Sequence, residues 1–87
     1  MGEAYRRAAH LRRALGSLSH ALRLKPEDAA SLASRGATYA QLGEFQSAAA
    51  DVDQAIRLDP INAQTQNNRA YITLNLGQPQ QAINLLN

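Results

Sequence analysis

The 87-residue sequence contains no cysteine and no tryptophan. The first absence excludes a disulfide framework, a thiolate metal site and a cysteine nucleophile, and leaves the compartment open. Aromatic residues are 5% of the chain against 45% hydrophobic residues overall, so a core must be assembled from Ala, Leu and Ile, which suit close helix–helix packing. No run approaches the roughly 18 apolar residues that a membrane span needs. The start does not read as a secretory signal either, because Arg12 and Arg13 interrupt any apolar stretch behind Arg6 and Arg7. A soluble chain is expected, with the cytoplasm favoured, and its length is that of one small domain with a thin core.

Catalytic and metal-binding patterns are also missing. The two histidines, His10 and His20, are not separated by the three or four residues that would make them neighbours on a helix. Asp51 and Asp53 are too close in sequence to share a helix face, and Ser17, Ser19 and Ser31 have no histidine–carboxylate constellation around them. None of the usual metal or phosphate-loop spacings occurs. The chain is therefore expected not to be an enzyme and to need no metal or cofactor.

What is present is uneven. Arg6, Arg7, Arg12, Arg13, Arg23 and Lys25 face Glu3 alone, leaving +5 on the first segment, while the remainder from Pro26 carries −3. The later carboxylates supply internal counter-charge for much of this excess. The stronger signal is repetition. Leu24-Lys25-Pro26 recurs as Leu58-Asp59-Pro60, an interval of 34 residues. The same shift lays Ala14, Leu18, Ala21 and Leu22 on Ala48, Val52, Ala55 and Ile56, and Leu42-Gly43 on Leu76-Gly77. A helical unit of that period cannot bury its apolar stripe alone and must stack on its neighbours.

The central unit reads Leu32-x2-Arg35-Gly36-x2-Tyr39, then Leu42-Gly43-Glu44-Phe45, then Ala48-x3-Val52-x2-Ala55, ending in Leu58-Asp59-Pro60. This resembles a tetratricopeptide repeat, with Gly36, Ala48 and Ala55 at its small positions, Tyr39 and Phe45 at its large ones, and departures at Leu32 and Arg35. The resemblance implies an all-α solenoid of about two and a half helix-turn-helix repeats that binds protein. It covers residues 1–87 as one domain: an N-terminal helix over 3–24, a full repeat over 29–60 and a partial repeat over 63–87. Helices are expected at 29–42, 45–58, 63–76 and 79–86. Asp28 and Asn62 are the candidate N-caps, Gly43 and Gly77 the helix stops, and Pro79 a first-turn residue.

The first segment breaks the pattern. Where the later repeats have Leu-Gly turns, it has Ala8-Ala9-His10-Leu11, with nothing to end a helix. Ala4, Ala8, Leu11, Leu15, Leu18 and Leu22 recur at spacings of four and three, which predicts one continuous helix with Arg6 and Arg13 on the opposite side. Its N-terminal half is thereby offered to something else. At the other end Ile83, Leu85 and Leu86 lack the helix that would cover them in a longer solenoid.

Two principal functions follow as expectations. In the family the first helix of each repeat lines a concave groove for a peptide; here that face implies Ala33, Ala37 and Gln41 on one helix and Gln64, Asn67, Tyr71 and Asn75 on the next. Alternatively Leu11, Leu15, Leu18, Ile83, Leu85 and Leu86 serve self-assembly into a homodimer or higher oligomer, by exchange of the first helix or by end-to-end stacking. A cut from a longer protein explains the same ragged ends. The basic patch of Arg6, Arg7, Arg12 and Arg13 is a lesser alternative, directed at an anionic partner or nucleic acid. The clamp that holds chaperone carboxylate tails in some family members is not expected, because Glu3, Ser34, Gln64 and Asn68 occupy its places.

Overall fold

In the computed structural model the chain is described over residues 2–86, with side chains described for residues 3–77. Four helices follow one another, α1 (Gly2–Leu24), α2 (Ala29–Gln41), α3 (Phe45–Leu58) and α4 (Ala63–Leu86). Short connections make neighbours antiparallel. Along the first pair Arg12 lies opposite Glu44, Ser19 opposite Arg35 and Leu22 against Leu32, so one number rises as the other falls. Among the helices α1 packs on α2, α2 on α3 and α3 on α4, with a lesser contact between α2 and α4. The result is a slab of 47 × 37 × 19 Å, about two helix diameters at its thinnest.

The tightest packing is between α2 and α3. A Cβ on Gly36 would lie 2.5 Å from Val52 Cγ2 and 3.1 Å from the Ala48 carbonyl oxygen, so only glycine lets the two backbones approach this closely. Ala48 and Val52 are fully buried and meet Ala40 and Ile72, while Tyr39, Phe45, Ala49 and Ile56 close the cluster from outside. A second cluster of Leu22, Leu32 and Ala55 joins α1 to the same pair. Arg35, a departure from the family pattern, has a use here. Its Nε donates to Asp51 Oδ2 at 2.6 Å, Nη2 to Oδ1 at 2.8 Å and Nη1 to the Ser19 hydroxyl at 3.2 Å. Three helices are thus tied by one half-buried guanidinium, whose pKa the Asp51 hydrogen bonds hold above its ordinary value.

The turn at Gly43 is made as expected. Glu44 N–H donates to the Tyr39 carbonyl at 2.9 Å and Gly43 N–H to that of Ala40 at 3.0 Å, the paired bonds of a Schellman motif, with Gly43 at φ 81°. Asn62 also caps as expected, its Oδ1 accepting from the N–H groups of Gln64 and Thr65 at 3.0 and 3.2 Å. Asp28 does not. Its side chain makes no capping bond and instead accepts the Ser31 hydroxyl at 2.8 Å, which holds the carboxyl below its ordinary 3.8.

One expected break is absent. α4 runs through Gly77 and Pro79 as a single helix, and among the described glycines only Gly43 has a positive φ. At Gly43 the break is stabilised by an entire returning helix whose Ala48 and Val52 lock against Gly36. After Gly77 the corresponding position opposite Gly36 is Ala70, which is exposed, so no docked face holds a turn there. Continuing the ladder then costs only the single hydrogen bond that Pro79 lacks. The continuous α1, by contrast, matches the expectation from its apolar stripe, and Gly16 sits within it with nothing near its Cβ position.

Candidate functional site

Because α2 is floored with alanines and α4 stands beside it, a trough opens between them on one side of the slab. Its lower part, about 240 Å³, is lined by Ala30, Ala33, Ser34 and Ala37 of α2 and by Asn62, Gln64, Thr65 and Asn68 on the α4 side. A narrower middle section of about 130 Å³ shares Ala37 and Asn68 and adds Ala40, Gln41, Tyr71 and Ile72. It continues through Ala40, Gln41 and Tyr71 into a wider cleft of about 880 Å³ at the α2–α3 turn. There the far wall is the N-terminal half of α1, with Glu3, Ala4, Arg7, Ala8 and Leu11.

The lower and middle sections carry no ionisable side chain except the Tyr71 phenol. Their chemistry is that of amides over methyl groups. The side chains of Gln41, Gln64 and Asn68 make no hydrogen bond among the described residues, leaving donors and acceptors open to a ligand. Tyr71 is 56% exposed yet positioned, because its ring meets Phe45 edge-on at 6.2 Å between centroids and 63° between planes.

The structure brings together Ala33, Ala37, Gln41, Gln64 and Tyr71 of the expected groove set. It does not bring Asn67 or Asn75 into the trough. Asn67 is exposed elsewhere on α4, and the Asn75 amide turns back to donate to the Tyr71 carbonyl at 2.8 Å. In place of Asn67 stands Asn68. A 34-residue shift carries one flank of α2 onto the same flank of α4, whereas a trough between the two is lined by the flanks that face each other. The signal that finds Asn68 is its place on the helix stripe of Thr65 and Ile72, both buried.

Of the residues expected at assembly junctions, Leu15 is buried inside the chain, Leu18 and Leu11 are half-buried, and Leu11 lines the wide cleft. Ile83, Leu85 and Leu86 belong to the helical backbone of α4, but their side chains lie outside the described residues. Arg6, Arg7, Arg12 and Arg13 are all exposed on α1. Arg12 pairs with Glu44 at 3.1 Å. Among the described residues no group of three or more Asp, Glu or His could hold a metal, and no helix is long and apolar enough to cross a membrane.

No curated protein and no solved structure matches the chain. Two family models described as tetratricopeptide repeat do match, over residues 1–67 and 52–84. Together with antiparallel helices paired through a small-residue contact at a 34-residue interval, the first of these matches, spanning well over half of the chain, shows that this protein belongs to the tetratricopeptide repeat family, whose members are typically non-catalytic modules of protein–protein interaction.

Proposed function

We propose that the chain is an interaction module that takes an extended peptide in the trough between α2 and α4. The observation that carries this reading is the pairing of an alanine floor with the unengaged amides of Gln41, Gln64 and Asn68. Amides of this kind present a donor and an acceptor together, as a peptide backbone does, and the methyl floor leaves room for the backbone to approach. Tyr71, braced by Phe45, supplies an apolar platform for one ligand side chain. The absence of charge from these sections favours peptides read by shape and backbone over peptides read by a terminal carboxylate.

The test is selection of peptides from a displayed random library on the 87-residue chain, followed by calorimetry on the winners. Asn68→Ala and Tyr71→Ala are expected to weaken binding by about 1–2 kcal/mol each, in the range of a hot-spot truncation. Asn67→Ala is expected to leave it unchanged. Equal losses at positions 67 and 68, or winners unaffected by filling the floor with Ala37→Leu, would remove the trough as the site.

A further inference from the structure

Arginine pairing differs sharply along the molecule. Each arginine of α2, α3 and α4 is given an acceptor by the chain itself: Arg35 by Asp51, Arg57 by Gln54 and Arg69 by Asp53. On α1 Arg12 has Glu44, but Arg6, Arg7 and Arg13 have no ion-pair partner among the described residues. Those three sit on the half of α1 that projects past the α2–α3 turn, since Arg12 is already level with Glu44. The same half walls the cleft of about 880 Å³, with Arg7 at its edge and Ala4, Ala8 and Leu11 facing Leu42 and Tyr71.

We propose that this cleft docks an acidic amphipathic helix from another protein. Two properties select that occupant. The walls are apolar and low, so a helix can come within the roughly 8–10 Å interaxial distance of packed helices and bury one stripe. The unpaired guanidinium groups beside it then meet carboxylates flanking that stripe, with Glu3 the one opposing charge on the lining. A second copy of this chain would bring its own basic α1 against the first, which like-charge repulsion disfavours. A nucleic acid strand would engage the arginines and gain little from Ala8, Leu11 and Leu42. The site and its ligand chemistry are separate from the uncharged peptide trough, although Tyr71 stands where the two meet.

The experiment is selection on the 87-residue chain from a displayed library of helices about 14 residues and roughly 21 Å long. One stripe is drawn from Ala, Leu and Ile and its flanks from Glu, Lys and Gln. Winners are expected to carry Glu on the flanks, and their affinity to fall at least about tenfold in Arg7→Glu and in Ala8→Trp and to weaken with added salt. Both positions are exposed, so thermal melts of the two variants are expected to match the parent. Winners with neutral or Lys-rich flanks overturn the proposal, as do winners indifferent to both variants. Tighter binding of single-stranded DNA, or of phosphatidylserine vesicles, than of the best helix assigns the arginines to that ligand and overturns it too.

Discussion

The central pair α2–α3 and the outer helices α1 and α4 are built from the same repeat and stabilised in different ways. In the pair, a glycine, a fully buried alanine and valine, a closed turn and a bidentate ion pair coincide within 30 residues. The outer helices share that quality only where they touch the pair. Beyond the α2–α3 turn α1 carries exposed alanines and arginines, and α4 exposes Leu74 to 58%. Stability and interaction surface are therefore segregated: the centre fixes geometry, and the margins remain available to other molecules.

The comparison can be broken most forcefully at the ion pair. Asp51→Ala strands the Arg35 guanidinium between three helices and is expected to cost about 2–3 kcal/mol, less than a fully buried pair because Arg35 retains some solvent. Chemical denaturation would measure it, and Ser19 and Asp51 should show coupled effects in a double-mutant cycle while Asp51 and Asp53 should not. A loss below about 0.5 kcal/mol would remove the ion pair from the account of the centre.

One substitution made twice sharpens the comparison further. Gly36→Ala forces a Cβ into Val52 and the Ala48 carbonyl, and overpacking of about 1–3 kcal/mol is expected to outweigh the gain in helix propensity. Gly16→Ala meets nothing within 4 Å and is expected to stabilise by about 1 kcal/mol. Opposite signs in thermal melts are the expected result, and a shared sign would mean that the two regions are packed alike.

The smallest effect belongs to the surface. Asp28 has a lowered pKa because it accepts the Ser31 hydroxyl, so its contribution is complete above pH 3.8 and is lost as pH falls through the lower folded value. Asp28→Asn should therefore reduce the melting temperature slightly at neutral pH and make little difference in strong acid. A loss that is the same at both ends would contradict the assignment.

Much of this segregation was legible in the residues. The 34-residue interval located the hairpin, the apolar stripe from Ala4 to Leu22 located the long first helix, and the alanine face of α2 located the floor of the trough. Three features were not, each because it depends on contacts between segments. Leu42-Gly43 and Leu76-Gly77 are alike in sequence, yet only the first becomes a turn, since only there does a returning helix dock. Asn68 displaced Asn67 because the rotation of α4 about its axis is set by Ile72 entering the core of α2 and α3. Arg35 and Asp51 lie 16 residues apart, a spacing with no local meaning until the helices are antiparallel.

The turn at Gly43 also bears on the order of events in folding. It joins two short helices whose contacts are nearly all local in sequence, and loops of such length close in tens of nanoseconds, so the hairpin of residues 29–58 forms a nucleus at little entropic cost. The outer helices then add to a surface that already exists. Amide exchange should accordingly be slowest at Val52 and Ala48 and fastest at the far end of α1, which makes the outer end of α1 the part of the chain that opens first.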